Sequence, residues 1–304
     1  MSLEIDNKFE QVIQKFAPQS KLLRSWSLKG GISAQMTALE IAQPDGQVQK
    51  IVIRQHGPLD LKRNPKVAAD EFKLLQILKA AGLSIPTPLY LDQSGEIFPT
   101  PYIIIEYIDG APEFAPTQID EQIPQFTSHL ARIHAINCSK LDLSFLLDQT
   151  QFYSEKLRTR PAILDESLDE GHIRDVLEAA WPLTQRNFST LLHGDYWPGN
   201  ILWKCGQLAA VVDWEDAAIG DPLADIAISR LDLLWAFGIE AMQDFTRQYE
   251  ALTSFDFTNL PYWDLCAALR PASRLASWAE DATSEQKMRE GHRWFINQAF
   301  AKLS

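Results

Sequence analysis

Long apolar runs, close-set cysteines and a surplus of basic residues are all missing from this chain, and each absence closes a class of function. No window of about 18 residues is apolar and uncharged, so a membrane-spanning helix is not expected. The start, MSLEIDNKFEQ, has acidic residues where a secretory leader would carry a basic stretch and an apolar core. Three cysteines, Cys138, Cys205 and Cys266, lie far apart and lack the paired close spacing of a zinc site, which excludes a disulfide framework and points to a reduced, cytoplasmic setting. Lys and Arg number 28 against 40 Asp and Glu, a net charge of −12. A general nucleic-acid binder needs a basic face to displace counterions from phosphates, so none is expected.

What is present is an ordinary globular composition: 304 residues, 46% hydrophobic and 22% charged, enough for two modest cores. The charge is unevenly spread. Residues 1–106 hold 12 basic and 11 acidic residues, a net +1, which leaves −13 for residues 107–304. Such acidity reads either as a solvated surface that keeps the protein in solution or as a lure for a cationic ligand.

Apolar periodicity orders the chain into two parts. Phe9, Val12, Ile13 and Phe16 recur at helical spacing in an opening helix. Trp26–Leu28, Met36–Ile41 and Lys50–Arg54 read as strands, with Pro44-Asp45-Gly46 turning the last two. A helix over 67–81 follows, with Phe72, Leu75 and Leu78 on one face, then strands at Leu89–Asp92 and Tyr102–Tyr107. The break Asp109-Gly110-Ala111-Pro112 ends this first part. Beyond it the pattern is mostly helical, at 119–135, 172–188 and 222–250, interrupted by a β-rich island at Leu191–Leu192, Ile201–Trp203 and Leu208–Val212.

The island carries the chemistry. In His193-Gly194-Asp195-Tyr196-Trp197-Pro198-Gly199-Asn200 a carboxylate and a carboxamide stand five residues apart between apolar strands, and Asp213 follows the apolar run 208–212. Magnesium is hard and prefers oxygen, so Asn200 and Asp213 suit it as ligands and leave Asp195 to accept a proton. Reading Asp195 and Asp213 instead as a glycosidase acid pair leaves Asn200 and the glycine turn without roles.

The run His-Gly-Asp-x-x-x-x-Asn resembles the catalytic loop of the aminoglycoside phosphotransferase and choline kinase family. Asp213-Trp214-Glu215 stands where protein kinases have Asp-Phe-Gly, and Gly220-Asp221-Pro222-Leu223-Ala224-Asp225 is similar to the segment that follows in the small-molecule kinases. The resemblance implies an α+β, two-lobed, protein-kinase-like fold: a small antiparallel-sheet lobe over 1–108 that binds the nucleotide, and a larger, mainly helical lobe over 109–304 that holds catalysis and the acceptor. It implies ATP and Mg2+ as cofactors. The glycine turn with Gly30, Gly31 and Ser33 would let backbone N–H groups approach phosphate. Arg54 stands where protein kinases have a phosphate-binding lysine, with Glu71 as its acidic partner and Asp70 as the fallback. Backbone groups of Glu106 and Ile108 would bind adenine at the hinge between lobes. In the same resemblance His193, Asp221 and Asp225 support the loop rather than react.

The implied reaction moves the γ-phosphoryl group to a hydroxyl of a small acceptor. An acidic second lobe rich in tryptophan, with Trp197 inside the loop, suits a cationic, amine-bearing one: an aminoglycoside, choline or ethanolamine, or a sugar amine. The alternatives are a homoserine-type kinase with a non-cationic acceptor and a kinase-like nucleotide-binding protein without turnover.

Overall fold

A computed structural model describes residues 2–28, 34–116 and 118–303. The chain forms two compact units, Met1–Asp109 with Ala209–Val211, and Gly110–Leu208 with Val212–Ser304.

The first unit is an antiparallel sheet with a helix on each of two sequence flanks. Its strands are β1 (Lys21–Ser27), β2 (Ala34–Ala42), β3 (Val48–His56), β4 (Pro88–Asp92) and β5 (Tyr102–Glu106), in the order β1-β2-β3-β5-β4. The helix α1 (Ser2–Phe16) buries Phe9, Val12 and Ile13 against Leu39, Ile41, Ile51, Ile53 and Ile104. Because side chains alternate along a strand, the inward Ile51 and Ile53 send Val52 and Arg54 to the opposite face of the sheet. Helices α2 (Pro58–Arg63) and α3 (Val67–Ala80) follow β3. In α3 the buried positions are Val67, Ala68, Glu71, Leu74, Leu75 and Leu78, while Phe72 is only half-buried. The stripe is thus rotated from the one the apolar residues alone suggest, and Glu71 lies within it. The expected turn forms, with Gly46 at φ 83° and the Gln47 N–H bonded to Asp45 Oδ1 at 2.9 Å.

The second unit is mainly helical. It contains α4 (Ile119–His134), β6 (Leu147–Asp148), α5 (Gln149–Arg158), α6 (Glu170–Ala180), β7 (Thr190–Leu192), β8 (Ile201–Lys204), the start of β9 (Gln207–Val211), whose residues Ala209–Val211 count with the first unit, and β10 (Ala218–Gly220). Five helices complete it: α7 (Leu223–Phe237), α8 (Ile239–Leu252), α9 (Leu260–Ala268), α10 (Leu275–Trp278) and α11 (Ala282–Leu303). Strands β6, β10 and β7 make one small sheet with β10 central, and β8 with β9 makes a hairpin. Two long helices expected from periodicity are shorter. The first ends at Ala180, because Pro182 disfavours the helical region at Trp181. The second divides at Gly238, whose φ of 89° no helix accepts, so 222–250 becomes α7 and α8. Arg230 ties three of these helices together, with Nε and Nη2 on the two Asp264 oxygens at 3.0 and 3.1 Å and Nη1 on Thr246 Oγ1 at 2.6 Å.

Ile13 is 1% exposed at the centre of the α1 contact. Ile13→Ala is expected to lower the unfolding free energy by about 2–5 kcal/mol in urea titration, the usual penalty for a buried cavity of that size.

Candidate active site

In the first unit, β3 and α3 bring two predicted residues together. Arg54 Nε lies 3.0 Å from Glu71 Oε2, and both side chains are 4% exposed. His56 Nε2 stands 2.9 Å from the same oxygen. Burial works to raise the Glu71 pKa, but the Arg54 charge and the His56 contact outweigh it and hold the carboxyl below its ordinary value. Asp70, one residue earlier, points away and accepts from Asn64 Nδ2 at 2.8 Å. Arg54 therefore sits preorganised on the sheet face opposite α1, its guanidinium anchored at one edge.

At the end of β5, the Glu106 N–H donates to Thr87 O at 2.9 Å, and its side chain accepts from the Thr87 N–H at 3.1 Å. The sheet thus uses the amide of Glu106. The Ile108 N–H has no backbone partner among the described residues. A cavity of about 470 Å³, lined in part by Lys50, Thr87, Glu106 and Tyr107, lies in the same unit. Gly30, Gly31 and Ser33 fall outside the described residues.

In the second unit the loop between β7 and β8 is held from beneath by one acid. Asp225, in the first turn of α7 and fully buried, accepts the His193 N–H at 2.7 Å and the Gly194 N–H at 2.9 Å. His134 Nε2 meets the same carboxylate at 3.1 Å, and its Nδ1 lies 2.5 Å from Tyr249 Oη. Burial opposes ionisation of Asp225, yet these partners keep its pKa below the ordinary range. His134 is thus a buried polar link between α4, α7 and α8. Asp221, two residues before α7, accepts the Leu223 N–H at 3.0 Å and Asn187 Nδ2 at 3.1 Å.

His193 spends both ring nitrogens on the backbone. Nδ1 accepts the Asp195 N–H at 3.3 Å, and Nε2 lies 3.0 Å from Val212 O. The Val212 N–H in turn donates to Asn200 O at 2.9 Å. The N–H and C=O of Val212, the residue before Asp213, are therefore both clamped. Asp213 has φ 66°, an uncommon conformation for a residue with a side chain and one that occurs where a site dictates the backbone. Gly194 has φ 82°, and a Cβ there would fall 2.0 Å from Asp216 O. Only glycine fits between His193 and Asp195.

Asn200 Nδ2 donates to Asp195 O at 2.9 Å and to Asp195 Oδ2 at 3.2 Å. With the amide nitrogen so used, Asn200 offers its carbonyl oxygen, and Asp213 adds carboxylate oxygens. An all-oxygen donor set fits a hard divalent cation such as Mg2+. Trp197 lies over Gly199, with ring atoms 2.2 Å from where a Cβ would be, and its centroid is 5.8 Å from that of the exposed Phe114.

Sequence reasoning missed two residues here. Arg270, just past α9, bonds Asp195 Oδ1 through Nη2 and reaches Asp232 Oδ2 on α7 at 3.5 Å through Nη1. Asp195 is thus engaged on both oxygens rather than standing free. Burial pushes the Asp232 carboxyl up to about 7, despite the pull of Arg270. Arg270 lies 75 residues from Asp195 with no motif around it, and only the fold connects them.

Comparison with known proteins settles the family. The phosphotransferase enzyme family matches residues 30–283. The chain belongs to that family. Viomycin phosphotransferase of Streptomyces vinaceus is 26% identical over 207 residues, 62% of this chain and 71% of that protein. Acyl-CoA dehydrogenase family member 10 of Mus musculus is 26% identical over 197 residues, 60% of this chain, and the match spans only 18% of that longer protein. The amicoumacin kinase hAmiN, solved with AMP-PNP, Ca2+ and amicoumacin, superposes with a TM-score of 0.65 at 15% identity, covering 98% of this chain and 96% of that one. The fold is accordingly the α+β, protein-kinase-like one of this family of kinases.

Two outcomes test the site. Arg54→Met strips the buried Glu71 carboxylate of its guanidinium partner, leaving His56 alone beside it, and is expected to lower stability by about 3–5 kcal/mol in denaturant. The Glu71 pKa is lowered on folding, so its stabilisation is complete above pH 4.5, its ordinary value, and disappears as pH falls through the depressed one. A plot of Tm against pH should lose part of its acid limb in Glu71→Gln.

Proposed function

We propose that the chain moves the γ-phosphoryl group of ATP, with Mg2+, to a hydroxyl of a small molecule. In this reading residues 1–108 handle the nucleotide and residues 109–304 the chemistry and the acceptor, in a cytoplasmic setting. The single observation that supports it most is the loop 193–200, where Asp225 fixes the backbone, Asn200 and Arg270 fix the Asp195 carboxylate, and the clamped Val212 sets Asp213. Such rigidity suits phosphoryl transfer, in which positioning and charge stabilisation supply most of the catalysis.

Asp195 orients the acceptor hydroxyl and accepts its proton, each carboxylate oxygen retaining a lone pair beyond its bond to Arg270 or Asn200. Asn200, through Oδ1, and Asp213 would hold Mg2+, which when bound neutralises charge on the phosphates. Arg54 contributes a second positive charge, and its link to Glu71 keeps the fork from swinging. Gly30, Gly31 and Ser33 would cover the phosphates with backbone N–H groups, and the Glu106 carbonyl with the Ile108 N–H would read the base.

The acceptor divides into two classes. The −13 charge of residues 107–304 favours an amine-bearing molecule of aminoglycoside, choline, ethanolamine or sugar-amine type. Arg270 on the catalytic carboxylate favours a non-cationic alcohol, of homoserine type.

Asp195→Asn is expected to lower kcat by about 10²–10⁴-fold, with nucleotide affinity unchanged. ATP consumption measured across a panel of amines, amino alcohols, hydroxy acids and neutral alcohols tests the reading. Mg2+-dependent nucleotide binding with no turnover on any of them would make the chain a kinase-like binding protein instead.

A further inference from the structure

The unit that carries the acidity holds a basic patch beside its catalytic carboxylate. On α5, Lys156 projects its ammonium to 5.5 Å from the Tyr153 ring centroid and 6.0 Å from that of Phe152. Tyr153 links this helix to α9, its hydroxyl donating to Cys266 O at 3.5 Å, one turn before Arg270. Arg174 donates to Lys156 O at 3.3 Å, but its own charge is matched by Glu170 at 2.8 Å. Lys156 has no such match: among the described residues no carboxylate lies within ion-pair distance of its ammonium. Arg274, exposed one turn after Arg270, likewise has no carboxylate partner among the described residues.

The consequence is electrostatic. Burial lowers the Lys156 pKa, and the guanidinium groups of Arg270, Arg174 and Arg274 stand near enough to lower it further, against an opposing effect of Cys266. Arg270 shares itself between Asp195 and Asp232, and at neutral pH Asp232 holds less than a full negative charge. Arg270 with the carboxylate-free Lys156 and Arg274 thus outnumber the two acids, Asp195 and Asp232, that Arg270 bonds. A half-buried ammonium without a counterion is destabilising, and an anion placed there would relieve it through charge-assisted hydrogen bonds. An ammonium-bearing acceptor would instead add to the repulsion. The −13 of the surrounding sequence is a sum over the surface and does not describe this corner.

We propose that the acceptor is an alcohol that also carries an anionic group, carboxylate or phosphate, and that Lys156, Arg270 and Arg274 bind that group while Asp195 takes the hydroxyl. This rests on the phosphotransferase reading above and narrows its substrate class. The balance is that of any such transfer: the hydroxyl oxygen bonds to the γ-phosphorus, the bond from that phosphorus to the bridging oxygen breaks, ADP departs, and the hydroxyl proton passes to Asp195.

The test uses the full chain with ATP and Mg2+, following ADP release with glycerate, glycerol 3-phosphate, glycerol, ethanolamine or water as acceptor. The expected result is a kcat/KM for glycerate or glycerol 3-phosphate at least about tenfold above that for glycerol, with ethanolamine below glycerol. Glycerate and glycerol 3-phosphate separate a carboxylate from a phosphate as the recognised group. Lys156→Gln and Arg274→Gln should each reduce the acid-over-glycerol ratio about tenfold, and Lys156→Arg should restore it. Preference for ethanolamine, a ratio untouched by both glutamine variants, or ATP consumption that neither acid accelerates would overturn the inference and leave the phosphotransferase standing. Absence of both nucleotide binding and ADP release, water included, would overturn the parent reading as well.

Discussion

Asp225 accepts two consecutive backbone N–H groups, those of His193 and Gly194, from inside the first turn of α7, and His134 backs it from α4. An isolated carboxylate with no exposed surface would be neutral, and a neutral acid cannot serve both amides as strongly. The pairing with His134 and the two amides resolves that conflict, and everything on the loop inherits its position. Gly194 must then take a left-handed turn past Asp216, His193 must bridge Asp195 to Val212, and Val212, bonded to Asn200 O, leads directly into Asp213. Of the candidate site residues Asp195 and Asp213 are half-buried and Asn200 is buried, and the acid beneath the loop has no exposed surface.

The first unit uses the same device with the sign of the cargo reversed. Glu71 stands in the apolar stripe of α3, where burial alone would neutralise it, and Arg54 and His56 keep it charged. In each unit a buried carboxylate on a helix fixes a functional element of the neighbouring strand or loop. Buried ion pairs contribute little net stability but a great deal of geometry, since leaving either partner alone is costly.

How much of this was legible follows the range of the interactions. The β-rich island and the motif from His193 to Asn200 could be read because loop chemistry is local in sequence, whereas Arg54 with Glu71 was expected only through the family resemblance. The α3 stripe was misplaced by a residue: Phe72 looked inward to a hydrophobicity count, whereas Glu71 is buried because its charge is met across the sheet. The single helix expected over 222–250 broke at Gly238, a residue that a periodicity window averages away. Arg270 and Asp232 were invisible, since packing of α7 against α9 brings them to Asp195 and no spacing rule encodes it. Their discovery also altered what the charge count meant, because a sum over 198 residues conceals a cationic corner.

The proposal is that the loop would hold a metal-bound nucleotide ready for transfer. It is tested most directly by a crystal structure of the chain with Mg2+ and a non-hydrolysable ATP analogue. The account predicts the metal on Asn200 Oδ1 and the Asp213 carboxylate, Arg54 on the phosphates with its Glu71 contact kept, and Asp195 free of the metal. A metal bound away from Asn200 and Asp213, or phosphates that do not reach Arg54, would contradict it.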